Sequence, residues 1–284
     1  MAASFIDVSE LKVVESSAPG PCGPVPIRWY QPAVESAAAA PVPTMVWAHG
    51  GGFFAGGLDQ PEAHDVARAL AQRGLPVATV DYRLAPFPGL AWAGRGGRRP
   101  RGRFPLPVED ILAALRTVGG ESPGGVILGG ASAGACLASA AALRALNGGL
   151  KPRGIVLAYG FFHSSHPRPH HVQRRLRGHR RLTHSRWIHN AVNRNYAGTP
   201  SALADPFAFP GGHVLDGFPP TLMINADRDA MRASGDQFAG ELLAAGIDVE
   251  QHVLPGSRHG FLNRPRLDAF TIAIDLIASW SRAR

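Results

Sequence analysis

A hydroxyl, an imidazole and a carboxylate, each just past an apolar strand-like run, make up the chemistry of acyl transfer in this sequence. Ser132 lies in Gly130-Ala131-Ser132-Ala133-Gly134, with Val126-Ile127-Leu128 before it and the small-residue run Ala135 to Leu143 after it. That reads as strand, sharp turn and helix, with the serine at the apex. Flanking glycines suit a strained turn in which the helix passes close to the strand. The hydroxyl would stand at a helix N-terminus, where the dipole favours developing negative charge. A serine is inert at neutral pH until a base takes its proton. His259, in Ser257-Arg258-His259-Gly260-Phe261 after the run Val249 to Leu254, offers an imidazole with an ordinary pKa of about 6.5. Asp229 follows Thr221-Leu222-Met223-Ile224, and an acid there would hold the imidazole tautomer. Asp227, two residues earlier, competes for that role. Finally, His49-Gly50-Gly51-Gly52-Phe53 follows the strand-like Thr44 to Ala48. Successive glycines let backbone N–H groups turn toward one point, as an oxyanion requires.

The elements that must position these groups alternate. Strands are expected at Val25 to Tyr30, Thr44 to Ala48, Leu75 to Val80, Val126 to Leu128, Ile155 to Tyr159, 221–226 and 249–254. Helices are expected at Pro61 to Gln72, Pro107 to Val118 with Gly119-Gly120 as the stop, the segment after Ser132, 232–245 and 266–281. Residues 1–25 read as a poorly specified arm and 87–103 as a loop. Strands alternating with helices imply a mostly parallel sheet covered on both faces, with its chemistry at the C-terminal strand ends. The order Ser132, Asp229, His259 is that of an α/β-hydrolase triad.

From about residue 26 onward the chain resembles the hormone-sensitive lipase family of α/β-hydrolase carboxylesterases. The likeness rests on five motifs in order: His49-Gly50-Gly51-Gly52, Asp81-Tyr82-Arg83-Leu84-Ala85-Pro86, Phe104-Pro105 with Glu109-Asp110, the serine turn, and His259-Gly260-Phe261. The resemblance implies a single α/β-hydrolase domain over 1–284 with a cap insertion at 161–218. It implies a serine carboxylesterase that forms an acyl-enzyme on small to medium acyl esters, with no cofactor. By the family pattern Asp229, before Met231-Arg232, is the acid, and Gly51, Gly52 and Ala133 supply the oxyanion N–H groups. Phe53, Trp187 and Ile188 are the candidate pocket residues. Trp187, Ile188, Val192 and Tyr196 fall at near-helical spacing, on one cap helix or as pins holding the cap to the core. His49 is expected to anchor the glycine loop, and Asp81, Arg83 and Glu109 to form a buried polar network behind the site. The chain departs from the family at Ala131 and at Phe87. Only 48 residues precede the glycine loop, which implies a reduced lid and a preference for short acyl chains. An amide or lactone hydrolase, arylformamidase-like, would use the same machinery. A non-catalytic ligand-binding protein would be expected to lack a triad member, and none is lost.

Composition bounds the rest. A chain of 284 residues with 45% apolar content can bury one large α/β core. No run approaches the roughly 20 apolar residues of a membrane span, and Met1 to Glu15 does not read as a signal peptide, so a cytoplasmic protein is expected. Cys22 and Cys136 are too few for a disulfide framework, and Cys136 reads as a buried hydrophobe. The net charge of +8 comes from two clusters without acids. One is Arg95, Arg98, Arg99, Arg101 and Arg103; the other is Arg168, Arg174, Arg175, Arg177, Arg180, Arg181, Arg186 and Arg194. Without those 13 the chain has 16 basic against 21 acidic residues, a net of −5. No nucleic-acid fold signature accompanies the clusters, which read as solvated surface. His163, His166, His170, His171, His179, His184 and His189 lack the cysteines or carboxylates of a metal site and read as a basic cap surface. The expected partner is a small-molecule ester, with a homodimer left open.

Overall fold

Alternating apolar side chains along six parallel strands make the two-sided core of a single eight-stranded sheet. The computed structural model describes residues 11–32, 41–89, 100–167, 172 and 186–284. Arg95, Arg98 and Arg99 lie outside these, as do Arg168, Arg174, Arg175, Arg177, Arg180 and Arg181, and His170, His171, His179 and His184. The strands are β1 (Lys12–Gly20), β2 (Gly23–Gln31), β3 (Thr44–Ala48), β4 (Val77–Val80), β5 (Val126–Ala131), β6 (Gly154–Ala158), β7 (Thr221–Arg228) and β8 (Val249–Arg258), in the spatial order β1-β2-β4-β3-β5-β6-β7-β8. β3 to β8 pair in parallel, while β1 and β2 form an antiparallel flank. Every residue of β3, β4, β5 and β6 is buried, as parallel strands covered on both faces require.

The helices are α1 (His64–Ala71), α2 (Leu106–Glu121), α3 (Ala133–Asn147), α4 (Arg186–Ala197), α5 (Pro200–Leu203), α6 (Arg232–Ala244) and α7 (Asp268–Arg282). Val46, Leu128, Ile155, Leu157 and Met223 face one core with α2, α3 and α6. Met45, Trp47, Ile127, Val156, Leu222 and Ile224 face the other with α1 and α7. The period of two sorts one strand's neighbours to opposite layers. No helix among the described residues is long and apolar enough to cross a membrane.

Two expectations are corrected. Residues 12–20, expected as an unspecified arm, form β1, paired from Lys12 opposite Gln31 to Gly20 opposite Gly23. Nearly every β1 residue is exposed, so no apolar alternation marks it in the sequence. The expected stop at Gly119-Gly120 is overrun, since α2 continues to Glu121. The helix ends where Ser122, extended at φ −116° and ψ 94°, precedes Pro123, and a proline disfavours the helical conformation of the residue before it.

Within the 161–218 insertion, α4 and α5 are described. Arg101 and Arg103, expected in a solvated basic surface, are part-buried ties. Arg101 donates from Nη1 to the carbonyls of Phe54 and Ala85, both at 2.7 Å, and lies over the Phe87 ring. Arg103 donates to the Asn195 carbonyl of α4 at 2.9 Å.

Candidate active site

The serine turn is strained as its sequence requires. Ser132 sits at φ 53° and ψ −119°, between the end of β5 and the start of α3. Its N–H donates to the Ala158 carbonyl at 2.9 Å. A Cβ at Gly130 would meet Gly134 backbone at 2.5 Å, and one at Gly134 would meet the Ala48 carbonyl oxygen at 2.1 Å. Both positions therefore admit only glycine without backbone movement.

β5, β7 and β8 deliver the three candidate catalytic groups to one place. Ser132 Oγ lies 3.0 Å from His259 Nε2, and His259 Nδ1 lies 2.6 Å from Asp229 Oδ2. The Asp229 carboxylate is buried, and its other oxygen accepts the Met231 N–H at 3.0 Å. An acceptor at Nδ1 places the ring proton there, leaving the Nε2 lone pair to receive the serine proton. Asp227 points elsewhere. It accepts the Gly256 N–H at 3.2 Å and lies 3.5 Å from Arg232, while its own N–H donates to Ser257 Oγ. It ties the irregular end of the β7–β8 ladder.

The glycine loop runs beside the serine. Gly51, Gly52 and Phe53 are consecutive left-handed residues at φ 120°, 61° and 69°. The Gly51 carbonyl closes the turn by accepting from Phe54 and Ala55. Among the described residues the N–H groups of Gly51, Gly52 and Ala133 meet no acceptor. His49 is buried and bonded through Nδ1 to the Gly50 carbonyl at 2.7 Å, its ring stacked on Tyr82. The Tyr82 hydroxyl donates to the His49 carbonyl at 2.7 Å. Burial pushes the His49 pKa down to about 4, so the ring is neutral at working pH. This geometry is that of an anchor.

The polar network differs from expectation. Arg83 pairs with Asp110 at 3.0 Å, both buried, and the Arg83 N–H donates to the same carboxylate at 2.8 Å. Glu109 turns outward to Arg144, because one residue along α2 rotates the side chain by about 100°. Asp81 is half-buried where β4 ends. Sequence reasoning passed over Glu62, a buried carboxylate beneath the glycine loop. A lone glutamate between a glycine loop and a helix looks like surface charge, and no local signal distinguishes it.

The candidate pocket residues separate. Phe53 is fully buried, stacked on Tyr196 at 4.0 Å and edge-on to Phe161 at 5.4 Å. Trp187 is 73% exposed on α4, and Ile188 is half-buried. The cap histidines that are described are buried where a basic surface was expected. His163 bridges Ser234 and Glu241 of α6 at 2.7 and 3.0 Å, His166 bonds the Ala230 carbonyl at 2.7 Å, and His189 packs edge-on to His166. They fasten the segment around α4 to the region around α6. Among the described residues no group of three or more His, Cys, Asp or Glu could hold a metal ion. Cys136 is buried, as expected, and burial pushes its thiol pKa up.

Known proteins match both fold and sequence. A model of the α/β-hydrolase fold matches residues 98–263, and one of the carboxylesterase family matches residues 28–167. Carboxylic ester hydrolase LipN of Mycobacterium tuberculosis is 32% identical over 276 residues, which are 91% of this chain and 65% of that one. Ethyl acetate hydrolase of Pseudomonas putida is 32% identical over 253 residues, 84% of this chain and 71% of that one. The chain thus spans about two thirds of the length of these relatives. An esterase of Pyrobaculum calidifontis superposes with a TM-score of 0.79 at 29% identity, covering 96% of this chain and 85% of its own. Matched in fold and in sequence over most of its length, the chain belongs to the hormone-sensitive lipase family of α/β-hydrolase carboxylesterases.

Proposed function

We propose that the chain hydrolyses carboxylic esters of small to medium acyl size through a covalent acyl-serine. The observation that carries this is the unbroken line from Ser132 through His259 to Asp229, at 3.0 and 2.6 Å. His259 Nε2 takes the serine proton as Oγ attacks the ester carbonyl. Asp229 holds the resulting imidazolium. The N–H groups of Gly51, Gly52 and Ala133 receive the tetrahedral oxyanion, each typically worth about 10²–10³ in rate. The alcohol leaves with the proton from His259. A water molecule, deprotonated by the same imidazole, then releases the acid and restores the serine. The ethyl acetate hydrolase among the relatives supports the small acyl size.

The test is a panel of p-nitrophenyl esters from acetyl to palmitoyl, run beside an aryl formamide and a lactone. Activity is expected to peak below twelve carbons, with esters turned over faster than the other two. Ser132→Ala is expected to lose at least about 10³-fold in kcat with little change in Tm. A variant that keeps more than a thousandth of the wild-type rate would exclude nucleophilic catalysis by Ser132.

A further inference from the structure

Glu62 is 2% exposed, and a charge so deeply buried is costly unless its partners compensate for lost water. Its carboxylate receives three hydrogen bonds: the Gly50 N–H at 2.6 Å, the Tyr159 hydroxyl at 2.5 Å and the Asn263 amide at 2.9 Å. The Tyr159 hydroxyl donates its own proton to that carboxylate. Three donors and no acceptor suit an anion. The main chain of Glu62 is engaged as well. Its N–H donates to Asn263 Oδ1 at 3.2 Å, and its carbonyl accepts the Trp47 indole N–H at 2.8 Å. A Cβ at Gly50 would come within 2.3 Å of Glu62 Oε2, so only glycine lets the carboxylate reach that backbone.

The three donors belong to the three segments around the proposed chemistry. Gly50 opens the oxyanion loop. Tyr159, held at φ 37° past β6, lies edge-on to the His259 ring at 5.0 Å. Asn263 closes the short 3₁₀ turn Phe261–Asn263 that follows His259. We infer that Glu62 is a positioning residue, a fixed buried anion that locks the oxyanion loop to the His259 loop and favours the imidazolium formed during turnover. This rests on the serine mechanism proposed above.

The electrostatic setting is specific. His259 faces Asp229 past the end of β7, the Ser132 hydroxyl, the Tyr159 ring and the field of Glu62. Glu62 faces its three donors, His259 and the neutral Tyr82, which stacks on neutral His49. Burial raises the Glu62 carboxyl pKa, and its donors and His259 offset only part of that rise. A clip that only held shape would leave the His259 titration where it is when the charge is removed. An anion would not, because a negative charge near His259 raises the pH at which the imidazolium loses its proton.

The experiment follows the His259 ring by NMR titration in the Ser132→Ala chain, where no turnover intervenes, and the pH–rate profile in the chain with Ser132. Glu62→Gln is expected to move the His259 midpoint and the acid limb of kcat/KM to lower pH. It is also expected to lower kcat about 10–100-fold through misplaced loops. Glu62→Asp keeps the charge but shortens the reach, and is expected to lower kcat while holding the midpoint closer to wild type. A folded Glu62→Gln chain with an unmoved midpoint overturns the inference. If Glu62→Gln does not fold, Asn263→Ala removes a single strap: a fall in kcat at constant KM supports the lock, and an unchanged kcat overturns it. A wild-type chain that cleaves none of the esters, the formamide or the lactone defeats the serine mechanism alone, since the titration needs no substrate.

Discussion

Asp227 and Asp229 differ by two positions at one strand end, yet their surroundings differ. Asp229 is buried against His259 Nδ1 at 2.6 Å, whereas Asp227 accepts a backbone N–H from Gly256 and lies near Arg232. Asp229→Asn would present an amide that donates to Nδ1, favouring the tautomer that cannot accept the serine proton. The expected loss in kcat is about 10³–10⁴-fold. Asp227→Asn is expected to cost little in kcat and to lower Tm modestly by loosening the β7–β8 end. Steady-state kinetics with an acetyl ester decide it, and the reverse ranking would overturn the assignment. Ser132, His259 and both aspartates were legible in the sequence because each follows a strand and sits in a distinctive string. Glu62 was not, because its meaning lies in Tyr159 and Asn263, about 100 and 200 residues away. Glu109 was preferred to Asp110 for a similar reason: adjacent acids on a helix look alike until the burial of the helix face is known.

At the scale of elements, the serine turn depends on how tightly α3 approaches β3. A Cβ at Gly134 would meet the carbonyl oxygens of Ala48 and His49 at 2.1 and 2.4 Å, and neither backbone is a flexible side-chain tip. Gly134→Ala is therefore expected to cost about 1–3 kcal/mol or more. It should also lower kcat beyond the loss of stability, because pushing Ala48 and His49 aside displaces the glycine loop. Urea unfolding and kinetics on the same preparation test this, and an unperturbed Tm would show that the approach is looser than described. Buried elements could be read from the sequence because burial on both faces writes apolar runs, as at Val126-Ile127-Leu128 and Ile155-Val156-Leu157. β1 could not, because its face toward water lets Lys12, Glu15, Ser16 and Ser17 stand in a strand. The cap histidines misled for the opposite reason. In a stretch rich in arginine they look solvated, while His163 and His166 are buried against α6 and Ala230.

For the whole molecule, one buried imidazole sets a pH window for stability. His49 has a pKa near 4 in the fold and about 6.5 when unfolded. Between those values the unfolded chain binds the extra proton, so stability is fully present above pH 6.5 and is lost as pH falls toward 4. The total is about 3 kcal/mol. Glu62, whose burial raises its pKa, works in the opposite direction, so a paired comparison is needed to isolate the imidazole. Unfolding free energies at pH 7.5 and 4.5 are expected to differ less in His49→Gln than in the wild type. An equal difference would contradict a neutral buried His49.

The sheet order carries one more consequence. Ser132 and the glycine loop follow β5 and β3, which have neighbours on both sides, whereas His259 follows β8, an edge strand that among the described residues pairs only with β7 and is half exposed. A strand held along one side opens at lower free energy than the sheet as a whole. When β8 frays, the proposed general base departs while the proposed nucleophile and the glycine loop stay folded. On warming, ester turnover is then expected to fade before the far-UV signal does, and coincident loss of the two would show that β8 opens only with the rest. On that expectation the working lifetime of the enzyme at high temperature is set by the residence time of one outer strand.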